Sequence, residues 1–195
     1  MTTSKDIDEL IKEYSGKTIS ELNHIIQNNH HYTNEQINVA KQVIGKKRMD
    51  WREKNFETSK KIDEVIRKEK WFDFHVLEFD GYRLTVGGSI DLTYYHKLEV
   101  IFEDIFFVSG FFRGWHSDTE KIVFQIPENE IELNGKYEIE QDYQLFTFKT
   151  EDFKNDIIIA SNNISYNTDT VFYYNRPDLK PNERIADFVK KKNAL

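Results

Sequence analysis

The sequence contains no cysteine. Disulfides, thiolate metal sites and cysteine nucleophiles are thereby excluded. Long apolar runs are also missing: the longest hydrophobic stretches are a few residues, far short of the roughly 20 that span a bilayer. The opening Met1-Thr2-Thr3-Ser4-Lys5-Asp6 meets charge at once and has no apolar centre of a secretory signal. A cytoplasmic protein with no membrane partner is expected. No Gly-x-Ser-x-Gly elbow, His-Glu-x-x-His pair, His-x-His, calcium loop or phosphate-cradling glycine loop occurs. Gly87-Gly88 lacks the lysine and following helix that a phosphate loop needs, so no cofactor or metal is expected.

Aromatic residues are scarce in one part of the chain and dense in the other. Of 28 Phe, Tyr and Trp, only Tyr14, Tyr32, Trp51 and Phe56 precede residue 71. Charge divides at the same place. The formal net charge of −7 is the sum of +2 over residues 1–70 and −9 over residues 71–195. The acidic portion repels phosphate backbones, which argues against nucleic acid and leaves a basic protein as the electrostatically suited partner. The division predicts a helical segment over 1–70 and an antiparallel β domain over 71–195. The fold class is therefore α+β: N-terminal helices followed by an antiparallel β sandwich or partly closed barrel.

In the front segment, Ile7, Leu10, Ile11 and Tyr14 repeat at helical spacing and Gly16 ends the run. Thr18-Ile19-Ser20-Glu21 and Thr33-Asn34-Glu35-Gln36 have the hydroxyl and the carboxylate or amide of capping boxes. The helices they open present Leu22, Ile25 and Ile26, then Ile37, Ala40, Val43 and Ile44. Together they predict a helical hairpin over 18–48. A connecting helix over 50–70 carries Trp51, Phe56, Ile62, Val65 and Ile66. The string Glu21-Leu22, Ile25-Ile26, Asn28, Tyr32-Thr33, Glu35, Ile37, Ala40-Lys41 and Lys47-Arg48 resembles a short helical hairpin that recurs, joined to varied partners, in uncharacterised bacterial proteins. That resemblance covers about 30 residues and implies an accessory or docking role, with no activity of its own.

Behind residue 71, strands are predicted at Trp71–Phe79 and Tyr82–Val86 about an Asp80-Gly81 turn, then at 89–95, 97–108, 121–126, 131–140, 143–149, 156–160 and 170–174. The alternation slips near Glu103-Asp104-Ile105, the signature of a bulge. Asn134-Gly135 reads as a second hairpin turn, and a short helix is expected within 182–192.

The segment Ser109 to Asp118 is the most site-like, with two glycines, three aromatics and Arg113, His116, Ser117 and Asp118. His116-Ser117-Asp118 holds the residue types of a hydrolase triad, although sequence neighbours do not approach from the directions a triad requires. His75, His96 and His116 lie in or beside strands that folding could gather. Glu99, Glu103 and Asp104 could supply a buried carboxylate facing His96 or Arg113. Two readings follow. The first is a non-catalytic protein-binding domain, of immunity or accessory type, that takes a basic partner by charge and shape. The second is a small-molecule binder or hydrolase with a cleft near Trp115, lined by Tyr94, Tyr95, His96, Arg113, Trp115, His116 and Asp118.

Overall fold

The computed structural model describes residues 4–192; residues 1–3 and 193–195, which include half of the opening segment read above, lie outside the described residues. The fold is α+β: N-terminal helices are followed by a seven-stranded antiparallel sheet curled into a half-barrel. By contacts the chain divides into two compact units, one ending at Lys54 and one beginning at Asn55.

The first unit contains α1 (Ser4–Ser15), α2 (Ile19–Gln27), a 3-10 turn (Asn29–His31) and the first part of α3 (Asn34–Ile66). Both capping boxes form. Thr18 accepts from the Glu21 backbone while the Glu21 carboxylate takes the Thr18 N–H at 2.6 Å. Thr33 and Gln36 make the same exchange at 3.2 and 2.9 Å. Tyr14, Leu22, Ile25, Val39, Ala40, Val43 and Ile44 form the core of this unit.

The hairpin's second helix and the connecting helix are one continuous element, since α3 runs unbroken from Asn34 to Ile66. Nothing in Lys47-Arg48-Met49-Asp50 terminates a helix: there is no proline, and the one nearby glycine, Gly45, lies inside the helix. A Cβ placed on Gly45 would meet nothing within 4 Å.

The second unit is built on strands β1 (Trp71–Phe79), β2 (Arg83–Ser89), β3 (Tyr95–His96), β4 (Leu98–Ser109), β5 (Trp115–Asp118), β6 (Phe124–Gln125), β7 (Gln144–Phe148), β8 (Ile157–Asn167), β9 (Thr170–Phe172) and β10 (Glu183–Ile185). Helices α4 (Glu130–Tyr137) and α5 (Asp187–Lys192) complete it. The large sheet runs β5-β1-β2-β4-β8-β7-β6, and a small sheet runs β10-β9-β3. The period-2 alternation of strands sorts the large sheet into two faces. One holds Phe72, Phe74, Leu84, Val86, Leu98, Val100, Phe102 and Ile164, and it packs with Ile62 and Ile66 of α3 and with Phe124, Phe146, Phe148 and Trp115. The other face is polar: Asp73, His75, Thr85, Glu99, Glu103, Asn163 and Asn167 stand on it.

The end of α3 is fixed to the sheet by polar groups as much as apolar ones. Its buried stripe is Asn55, Ser59, Ile62, Asp63 and Ile66, whereas Phe56 is exposed. Asp63 Oδ1 accepts the backbone N–H groups of Val123 and Phe124 at 2.8 and 3.0 Å, and Arg67 stands 3.7 Å from Oδ2. Asn55 donates to the carbonyl of Asn162 at 3.1 Å.

Three local expectations are corrected. Residues 131–140 do not form a hairpin; Glu130–Tyr137 is helical. Glu130 and Glu132 suit the positive end of the helix dipole and Lys136 the negative end. Glu138 in the left-handed region (φ 54°) then closes the helix. The strand expected to stop at Val86 continues through Gly87-Gly88, which lie within β2. A Cβ on Gly88 would stand 2.5 Å from the Phe72 ring, so the missing side chain is what admits Phe72 and Phe74 to the core. Residues 90–94 form turn rather than strand, and β3 is confined to Tyr95–His96. The expected irregularity of β4 is present: Asp104 has φ 55°, and the β4–β8 register shifts between Ile105 and Phe107.

Two substitutions test this construction. Gly45→Ala should stabilise the protein by about 0.5–1 kcal/mol, because the site has open space and alanine lowers the entropy of the unfolded chain. Asp63→Ala should destabilise it by about 3 kcal/mol by leaving two buried N–H donors without an acceptor, and Asp63→Asn, which keeps one acceptor oxygen, should cost less. Chemical denaturation of the full chain measures both.

Candidate functional site

The sheet register creates the site. His75 stands opposite Gly87, Gly87 opposite Glu99, and Glu99 opposite Asn167, so one row crosses β1, β2, β4 and β8 on the polar face. Gly87 contributes no side chain, and Leu77 leans over the space: a Cβ on Gly87 would come within 2.7 Å of Leu77 Cδ1. A bulge between Val76 and Glu78 makes this register possible. It sends Val76 to the core and brings both Leu77 and Glu78 to the wall of the cleft.

The small sheet covers part of this row and completes its bonding. His96 (β3) is 2 % exposed; its Nε2 lies 2.8 Å from Glu99 Oε1 and its Nδ1 2.9 Å from Tyr173 Oη, just beyond β9. His75 Nε2 lies 3.1 Å from the same Tyr173 oxygen. Arg184 (β10) donates to Glu99 Oε1 and stands 3.5 Å from Asp169, and Asn167 donates to Glu99 Oε2 at 2.5 Å. β3 and β10 of the small sheet thus each send a polar side chain to one buried carboxylate, and Tyr173, just beyond β9, is linked to it through His96.

The electrostatics follow from burial and partners. Desolvation alone would raise the Glu99 pKa, but hydrogen bonds from His96 and Asn167 and the charge of Arg184 outweigh it and hold the carboxyl at about 2. Burial, reinforced by the Glu99 charge, pushes Tyr173 up to about 12. Tyr173 therefore keeps its proton; set between two imidazole nitrogens, it donates to one and accepts from the other. Burial, then the neighbouring His96, lowers the His75 pKa and favours its neutral form.

Beside this network a cleft of about 420 Å³ opens between the large sheet, α5 and the small sheet. Leu77, Ile101, Val171 and Phe188 form its apolar walls. Glu78, Glu99 and Asp187 stand against Arg83 and Arg184, and Arg83 is paired with Glu103 at 3.0 Å. Both ring nitrogens of His96 are engaged, by Glu99 and by Tyr173, so neither is directed at a molecule in the cleft.

The residues singled out from sequence separate into two places. His96 lies in the network, with Tyr95 beside it on β3 packing edge-on to Phe172 and Tyr94 exposed just before. Trp115, His116 and Asp118 lie on β5, and Arg113 is exposed in the preceding turn. Trp115 is 4 % exposed and packs on Phe74 and Phe148, and the void beside it is about 10 Å³. Gly114, at φ 126°, brings the chain so close to the Phe74 carbonyl that a Cβ would lie 2.6 Å from that oxygen. His116 Nδ1 meets Asp73 at 2.6 Å and its Nε2 stands 3.4 Å from Glu151. Ser117 points to the opposite face, buried, and donates to the Lys149 carbonyl at 2.6 Å, so residues 116–118 make no triad. His75 and His96 meet at Tyr173, whereas His116 pairs with Asp73. Among the described residues no group of three or more His, Asp and Glu is placed to hold a metal ion, and no helix is long and apolar enough to cross a membrane.

Comparison of the chain with protein families, with curated proteins and with solved structures returned no match.

The network makes a pH prediction. The Glu99 contribution to stability is complete above its unfolded pKa of about 4.5 and is lost as pH falls toward 2. The depressed His75 pKa adds an earlier loss, beginning as pH drops below about 6.5, because the unfolded imidazole takes up a proton that the folded one resists. Glu99→Gln should lower stability at neutral pH and flatten the acidic part of the profile while leaving the earlier part. Urea midpoints measured from pH 8 to 3 would show both phases.

Proposed function

We propose that the chain is a non-catalytic protein-binding domain that takes a basic partner, in the manner of an immunity-type protein that masks a cationic target. The observation that supports this most directly is the commitment of the cleft's polar base. Glu99 Oε1 is engaged by His96 and Arg184, Glu99 Oε2 by Asn167, and Tyr173 by two histidines. A nucleophile or general base needs a lone pair aimed at substrate; these are aimed at each other. The charge pattern supports the nature of the partner, since residues 71–195 carry a net −9 and the cleft holds three carboxylates against two guanidinium groups. Exposed Phe188 beside the cleft offers the kind of aromatic contact on which binding energy concentrates.

A small-molecule ligand in the same cleft is the second reading. Its volume lies in the range of small-molecule sites and its walls combine apolar side chains with a few charges.

Co-purification of the tagged chain from the cells that make it, followed by reassembly from purified components, separates the two. The expected result is a stoichiometric complex with a basic protein whose affinity drops about tenfold or more as salt rises from roughly 0.05 to 0.5 M, and which Glu78→Lys weakens further. If nothing reassembles, or if the complex ignores both salt and the charge reversal, the protein-binding reading is wrong. Saturable stabilisation by a small molecule, lost on Phe188→Ala, would put the second reading in its place.

A further inference from the structure

A second concavity, sharing no lining residue with the first, has the opposite electrical character. It is a cleft of about 400 Å³ between α4, the end of β4 and the turn that joins β7 to β8. Lys136, Lys149 and Lys154 line it. These are three of the thirteen basic residues after residue 70, gathered at one place in a segment whose net charge is −9. One carboxylate lines the same cleft, Asp156, and it is bound to Lys149 at 2.6 Å. The Lys136 ammonium lies 5.0 Å from the centre of the Tyr137 ring, and Lys154 forms no ion pair among the described residues. The lining therefore holds an excess of two positive charges.

Like charges brought together round a concave surface repel, and a bound anion relieves that repulsion. We propose that this cleft binds a small phosphate monoester, with the dianionic phosphate held by Lys136 and Lys154 and the organic part against Leu133 and Ile158. The charge excess matches a phosphate monoester, which carries close to two negative charges near pH 7. Lysines act on phosphate as mobile point charges and need no fixed fork geometry. Ser109 and Asn155 add neutral donors to the lining. The volume accommodates a phosphate and one ring. A nucleic acid chain is disfavoured, because its further phosphates would extend over an acidic surface. This inference goes beyond the protein-binding reading and does not rest on it.

The test uses the full chain and phenyl phosphate. Backbone amide resonances of Lys136, Tyr137, Lys149, Lys154 and Asn155 should shift in a saturable way, with a dissociation constant in the millimolar range or below. Inorganic phosphate should compete for the same resonances, and benzoate, with the same ring and one charge, should bind about tenfold more weakly. Lys136→Gln combined with Lys154→Gln should weaken phenyl phosphate about tenfold or more without moving the unfolding midpoint. Should the double variant unfold, Lys154→Gln alone, at an exposed side chain with no ion pair to lose, gives the same readout. The proposal is overturned if no saturable shift occurs by about 20 mM, if shifts cluster elsewhere, if benzoate binds equally well, or if the lysine substitutions leave the affinity unchanged.

Discussion

The buried negative charge of Glu99 governs how the small sheet is joined to the β unit. An ion of this kind taken from water is costly unless its environment returns what hydration supplied, and removing one partner of such a set leaves the charge stranded. Here the compensation comes from His96, Asn167 and Arg184. Two of these belong to the small sheet, and Tyr173, just beyond its third strand, joins through His96. The small sheet is short: its pairings extend over two and three residues. Ladders of that length contribute little by themselves. The placement of β3, β9 and β10 over the polar face thus depends on satisfying Glu99 as well as on their own hydrogen bonds and on the packing of Val171 and Phe172.

The same logic acts on the other face in a different form. The apolar side of the large sheet is dominated by phenyl rings and would accept many apolar helices. What selects the seating of α3 is a polar set within its buried stripe: Asn55 finds one carbonyl, and Asp63 gathers the N–H groups of Val123 and Phe124 where β6 begins. Dispersion and burial supply most of the energy, while the polar groups, which tolerate no slip, fix the register. Both faces of one sheet are therefore indexed by a carboxylate, Glu99 on one and Asp63 on the other.

Much of the architecture is legible in the residues themselves. The capping hydroxyls of Thr18 and Thr33, the Asp80-Gly81 turn and the disturbed alternation at Asp104 each announce a local geometry that forms. Short-range signals failed where two of them competed. Asn134-Gly135 is a turn signal, but the acidic first turn and the Leu133/Tyr137 spacing favour a helix, and the helix formed. The site was half legible. A buried carboxylate facing His96 is a sequence-level expectation, and Glu99 is that group. Its other partners are not visible locally: Asn167 and Arg184 lie 68 and 85 residues further on and reach Glu99 only through the sheet register, and Tyr173 joins through His96. Even the relation of His75 to Gly87 depends on the bulge after Val76. A ladder without it would place His75 opposite Gly88 and turn it toward the core, since a slip of one residue exchanges the faces. The buried stripe of α3 was obscured for a related reason, because its polar members do not enter an apolar periodicity.

Buried and exposed charges in this unit also answer to different conditions, and that separation bears on the proposed function. Glu99 lies close against its partners, with water largely excluded, so dissolved ions screen it weakly. The surface carboxylates that produce the net −9 act across solvent, where the screening length is about 8 Å at physiological salt. A partner drawn by the surface field can therefore be gained or released as ionic conditions change while the network beneath keeps its form. A catalytic use of Glu99 or His96 would couple the two, because engaging a substrate would withdraw a hydrogen bond from the group that holds the small sheet in place. Under the proposed function the polar network would stabilise and the outer charges would recognise, which is the arrangement expected of a binding domain that keeps one shape with and without its partner.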